Sequence, residues 1–143
     1  MADIQHDFPI FAPPGRVYEG VTTPAGLDVW WSKKSRGTPE IGAEYELWFS
    51  PEHDWRAKVT RAVRDREFVL QMTRSDPDWN GTLVSFVLEP RQGGTHIRFR
   101  HSGWPHDNDH FRTSSYCWAM YLRILKRNLE YGEVVAYERR LDV

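Results

Sequence analysis

The last third of the chain contains the segment around which any fold of this sequence must be built. Beginning near Asp107-Asn108-Asp109, any of which can cap a helix, and running to about Tyr131, apolar residues recur at helical spacing. Phe111, Trp118, Tyr121, Leu122, Leu125 and Leu129 share one face, which Cys117 and Ile124 widen, while Arg123, Lys126, Arg127 and Glu130 share the other. Gly132 suits a left-handed C-cap. At about 1.5 Å per residue, roughly 23 residues make a rod about 35 Å long, enough to cross a small domain. So broad an apolar stripe needs a sheet to lie against.

The preceding residues supply that sheet. Ile4-Gln5-His6-Asp7-Phe8-Pro9-Ile10 alternates at period two, and Pro9 confines this strand to a sheet edge or to its own end. Pro13-Pro14 then opens a short helix through Val17 and Tyr18 to about Val21. Thr23-Pro24 repeats the device, with Thr23 as N-cap of a second short helix carrying Leu27, Trp30 and Trp31. Five strand segments follow. Tyr45, Leu47 and Phe49 alternate with polar or outward positions, as do Trp55, Ala57 and Val59. Phe68-Val69-Leu70-Gln71-Met72 is short enough to pack on both faces; after the breaker run Ser75-Asp76-Pro77-Asp78 come Val84, Phe86 and Leu88. Gly93-Gly94 makes a tight connection into Thr95, Ile97, Phe99 and His101. The expectation is an antiparallel meander in an α+β protein. At 143 residues, residues 1–143 form a single domain that buries roughly 68–70% of the unfolded chain's surface.

Charge excludes some functions. Lys+Arg 19 against Asp+Glu 20 leaves no global field for nucleic acid or an anionic membrane. Arg56 with Lys58, and His96 with Arg98 and Arg100, form basic outward faces, but Glu44, Glu46 and Glu67 stand on neighbouring segments as on any solvated sheet. Cys117 is the only cysteine, which rules out an intramolecular disulfide. The N-terminal residues have no basic region followed by an apolar run, and no stretch of eighteen apolar residues occurs. A cytoplasmic protein without membrane insertion is expected.

Few residues suggest chemistry. His106 and His110 are four apart, but a cap at Asn108 or Asp109 leaves His106 outside the helix, so the two rings do not share a face; no metal site is expected. His101 is more informative, because strand parity turns it with Ile97 and Phe99 toward the helix, where an imidazole can bind a polar group, exchange a proton, or be satisfied within the core. No nucleophile elbow, phosphate loop or carboxylate pair accompanies it. Seven Trp, six Tyr and seven Phe are a heavy aromatic load for one small domain, and rings at inward positions beside a cavity favour a ligand.

The segments Ala12-Pro13-Pro14 through Val17-Tyr18, Thr22-Thr23-Pro24 through Leu27 to Trp30-Trp31, Ile41-Gly42, Gly94-Thr95 through His101 with Gly103, and Trp118 with Leu122 and Leu125 occur in a fixed order. In that order they resemble the START-related (SRPBCC) family named after the activator of the 90-kDa heat-shock protein's ATPase, over about residues 8–132. The resemblance implies the helix-grip, START-like fold: a curved antiparallel sheet of about six strands wrapped around a long C-terminal helix, with two short helices after the first strand. It also implies a cavity between sheet and helix. The expected function is binding of a small hydrophobic or aromatic ligand there, by Trp31, Trp55, Phe86, Phe99, His101, Trp118 and Tyr121. The family implies two alternatives. One is a polyketide-cyclase-like or hydratase-type enzyme with His101 and Tyr121 as acid or base. The other is a chaperone-associated interaction module with a stress-response role. The eukaryotic activators carry a further N-terminal domain that contributes to chaperone binding, and none is expected here. No cofactor is expected, and the chain is expected to be a monomer or homodimer.

Overall fold

The alternating segments form one sheet, described here from a computed structural model that covers residues 2–143. Its strands are β1 (Ala2–Ile10), β2 (Lys34–Arg36), β3 (Glu44–Ser50), β4 (His53–Val63), β5 (Glu67–Arg74), β6 (Leu83–Arg91) and β7 (Gly94–Trp104). They pair antiparallel in the order β1-β7-β6-β5-β4-β3-β2. Strands β2 to β7 meander, and β1 closes the far edge on β7 with Phe8 opposite Ile97. The sheet therefore has seven strands rather than about six. The additional one, β2, is three residues long, too short for any alternation to reveal it, and it pairs Ser35 with Leu47.

Register decides what each face carries. Phe86 lies opposite Phe99 and Val84 opposite His101, all buried on the concave side. On the other side Arg98 and Arg100 both reach Asp7 of β1, at 3.0 and 2.7 Å. Register shifts interrupt β1–β7, β3–β4 and β4–β5, the kind of irregularity that bends a strand and lets a sheet curl around a helix.

Two short helices, α1 (Pro14–Thr22) and α2 (Pro24–Trp30), form a corner hinged on a single residue. Thr23 ends α1 by donating its N–H to Glu19 O at 3.0 Å, and its hydroxyl oxygen caps α2 by accepting from Gly26 N at 3.0 Å. Gly26 is required by the approach of the two backbones: a Cβ there would stand 2.5 Å from Glu19 O and 2.8 Å from Gly20 Cα. Trp30 Nε1 then donates to Gly20 O at 2.9 Å, and Tyr45 of β3 donates its hydroxyl to Thr22 O at 2.6 Å.

The long helix, α3, spans Asp109–Tyr131. Asn108 caps it, accepting from Phe111 N at 3.0 Å, and Gly132 closes it in the left-handed conformation with φ 71°. Trp118, Leu122, Ile124, Leu125 and Leu129 are buried against the sheet and the two short helices. Among the described residues no helix is long and apolar enough to cross a membrane.

Leu125 packs in this core beside Gly20, whereas Arg127 reaches outward to Glu133. Leu125→Ala is expected to lose about 2–5 kcal/mol in denaturant titration, and Arg127→Ala less than about 1 kcal/mol. Equal losses would show that the helix is seated in a different phase.

Candidate functional site

Between the first half of α3, the β3–β4 hairpin and the C-terminal end of α2 lies a cavity of about 360 Å³. Its wall contains seven aromatic rings: Trp31, Phe49, Trp55, Trp79, Trp118, Tyr121 and Tyr137. The rings touch in sequence, with centroids 5.0 Å apart for Trp31–Trp118, 4.9 Å for Phe49–Trp55 and 4.8 Å for Trp55–Trp79. Trp79 comes from the β5–β6 connection, which winds into a turn as Trp79 N and Asn80 N both donate to Asp76 O. That turn directs the indole inward, where it lies stacked 5.7 Å from Trp118.

Behind this wall stands a chain of buried hydrogen bonds. The indole N–H of Trp118 can only donate, and it donates to His101 Nδ1 at 3.0 Å. The proton of His101 therefore sits on Nε2, which donates to Thr82 Oγ1 at 2.7 Å, and the Thr82 hydroxyl donates to Trp79 O at 2.5 Å. His101 is fully buried, and loss of solvent pushes its pKa from 6.5 down to about 3. Both of its ring nitrogens are engaged. The imidazole holds Trp118 and, through Thr82, the Trp79 turn; the geometry leaves no free nitrogen for acid–base work on a ligand.

The polar part of the lining is elsewhere. Asp76 lies between two imidazoles, with His53 Nε2 and His110 Nε2 each 3.8 Å from one of its oxygens. His110 Nδ1 and Asn108 Nδ2 both meet Asp78 at 3.3 Å, and the Asn108 bond, followed by that of His110, holds the Asp78 carboxyl below its ordinary range. Thr113, Ser114 and Cys117 complete the α3 side, and burial pushes the Cys117 thiol up, so it lines the cavity as a neutral group. His106 is exposed and outside α3, and among the described residues no group of three or more His, Cys, Asp or Glu side chains is arranged to hold a metal ion.

Residues 11–130 match the model of the family described as "Activator of Hsp90 ATPase homolog 1-like protein". The chain belongs to that family. Among solved structures, the Aha1 dimer from Colwellia psychrerythraea is 32% identical, covering 93% of this chain and 99% of its own, with a TM-score of 0.85. SSP2350 from Staphylococcus saprophyticus is 18% identical over 94% of this chain and 96% of its own, with a TM-score of 0.80. DynU16, a putative protein in the dynemicin biosynthetic locus, is 18% identical over 92% of this chain and 48% of its own, with a TM-score of 0.78. These last two share the fold. No curated protein matches the chain significantly.

Within this Hsp90-activator-like domain the sequence-derived candidates divide. Trp31, Trp55, Trp118 and Tyr121 line the cavity; Phe99 and His101 are buried against Trp118, 4.6 and 5.9 Å from its ring, and Phe86 is buried between Phe99 and Trp30. Phe49, His53, Asp76, Trp79, His110 and Tyr137 also line it and were not foreseen. Phe49 and Trp55 share the inward parity of β3 and β4, so alternation carried a signal for Phe49. Asp76 and Trp79 stand in a turn, where parity says nothing.

Tyr137 lies beyond the family-matched residues, in a 3₁₀ turn spanning Tyr137–Asp142. Arg140 anchors that turn: it is buried, donates to the carbonyls of Asp28, Trp31 and Ser32, and lies 5.0 Å over the Tyr137 ring. Those carbonyls belong to the unpaired C-terminal end of α2, where a guanidinium is favourable.

His101 gives the family fold a proton-linked stability. The unfolded chain protonates this imidazole near 6.5 and the folded chain only near 3, so between those values the unfolded state binds more protons and stability falls as pH falls. From pH 7 to pH 5 this group alone should remove about 2 kcal/mol. Denaturant titrations of the wild type and His101→Gln at both pH values should differ by that amount in their pH dependence, and identical dependence would mean that His101 is not held neutral.

Proposed function

We propose that this protein binds a small, predominantly aromatic molecule in the cavity between α3 and the β3–β4 hairpin. The observation that carries the reading is the lining itself: a solvent-open cleft of about 360 Å³ lined by seven rings and a few polar groups, the composition of a small-molecule site rather than of a filled core. The occurrence of this fold in DynU16, a putative protein of the dynemicin biosynthetic locus, also fits small-molecule work.

In this reading the protein is a binding protein, and His101 is a positioning residue for Trp118. A cytoplasmic location suits the single, unpaired Cys117. A second reading, association with a chaperone or with another copy of the chain, is supported by the family's description and by the dimeric relative from Colwellia psychrerythraea. It would use the outer surface, where Phe11, Tyr131 and Val134 are exposed around the C-terminal end of α3. Light scattering on the purified chain, alone and with a 90-kDa chaperone, tests it.

The cavity reading is tested with the neutral fluorophore N-phenyl-1-naphthylamine. One probe per chain should bind with saturable quenching of Trp fluorescence. Cys117→Trp places an indole in the cavity and should weaken binding at least about tenfold while the chain stays folded. Absence of saturable binding would remove this function.

A further inference from the structure

We propose that the ligand of this cavity is a cation, an aromatic or alkyl body bearing a substituted ammonium or a cationic ring nitrogen. The proposal rests on the cavity being a binding site and adds the charge of what it takes.

The first argument is the distribution of charge. The chain has nineteen Lys and Arg residues, yet none lines the cavity, where Asp76 is the only carboxylate. Several carboxylates elsewhere are met by Lys or Arg: Asp7 by Arg98 and Arg100, Asp54 by Arg56, Glu67 by Arg61, and Glu130 by Lys126. Asp76 has no such partner among the described residues; its oxygens meet only the two imidazoles at 3.8 Å, beyond hydrogen-bond length. An anionic ligand would find no guanidinium or ammonium in the lining and a carboxylate opposing it. A cation would find a carboxylate with no Lys or Arg beside it, in a partly desolvated setting where charge pairs are stronger than in water.

The second argument is the wall. Four of its rings are indoles, which of the aromatic side chains attract cations best. The protein's own cations are already used in this way on other rings: Lys33 lies over Trp48, Lys126 over Phe11, and Lys33 and Arg140 both lie over Tyr137, the one cavity ring so engaged. Among the described residues none lies over Trp31, Trp55, Trp79 or Trp118. The Arg140 guanidinium lies over Tyr137 and is turned to the carbonyls at the end of α2. Four indoles and one carboxylate thus remain for a positive charge brought from outside.

Three probes of similar shape separate charge from size: benzyltrimethylammonium, its neutral isostere neopentylbenzene, and the anion phenylmethanesulfonate. In fluorescence titrations the cation should bind about tenfold more tightly than the neutral isostere, and the anion should not bind. Asp76→Asn should shrink the cation-to-neutral ratio. Should that variant fail to fold, the same ratio in the wild type should fall as salt is raised from 0.05 to about 0.5 M, because screening acts on charge and not on shape. Equal affinity for cation and isostere, tighter binding of the anion, or failure of all three while N-phenyl-1-naphthylamine binds would each overturn the charge assignment and leave the cavity reading standing. Failure of all four probes would remove both.

Discussion

A fully buried side-chain hydrogen bond ties helix to sheet: the indole N–H of Trp118, near the middle of α3, donates to the imidazole of His101, in the second half of β7. Apolar packing can hold a helix against a sheet, but it tolerates sliding; a directional bond between two buried rings does not. The bond continues through Thr82 to the carbonyl of Trp79, so one polar thread fixes the rotation of α3, the tautomer of His101 and the turn that carries Trp79. Each member is buried and each donor in the thread has an acceptor, which is the condition under which an interior polar chain adds specificity instead of instability. Two of the rings that bound the cavity are therefore positioned from behind.

The elements were legible because local rules acted alone in them. Thr23-Pro24, Asn108 and Gly132 occupy cap positions whose chemistry is independent of what the helices later touch. Alternation along β6 and β7 fixed which residues turn inward, His101 among them. The site was harder to read. Parity can say that His101 faces the helix but cannot say that Trp118 and Thr82 will consume both of its nitrogens, since those partners are 17 and 19 residues away. Asp76 and Trp79 sit among turn residues whose direction is set by backbone bonds to Asp76 and Met72 rather than by period. Tyr137 stands in a turn that Arg140 docks on α2, a contact spanning more than a hundred residues.

Family membership and the site thus rest on different parts of the molecule. The match over residues 11–130 covers six of the seven strands, β2 to β7, with the helical corner and nearly all of α3; the edge strand β1 precedes it. The tail that adds Tyr137 lies outside it, and the cavity lining depends on loops as much as on the shared frame. A scaffold held from behind by its own hydrogen bonds can change its loops and tail without disturbing the frame, which is how one fold comes to serve unrelated functions.

The aromatic crowding has an optical consequence. Trp30, Trp31, Trp79 and Trp118 lie within ring-contact distance of one another in a continuous cluster, and Trp55 and Trp104 each touch Trp79. Chromophores this close and this rigidly oriented do not absorb as independent units: their excited states mix, and excitation hops among them before emission. The near-ultraviolet circular dichroism of the folded chain is then a property of the cluster, carried by six of its seven indoles, and vanishes when the packing loosens even if the helices persist. Replacing any one of these residues would alter the spectrum of the others, so a band cannot be assigned to a single tryptophan by subtraction.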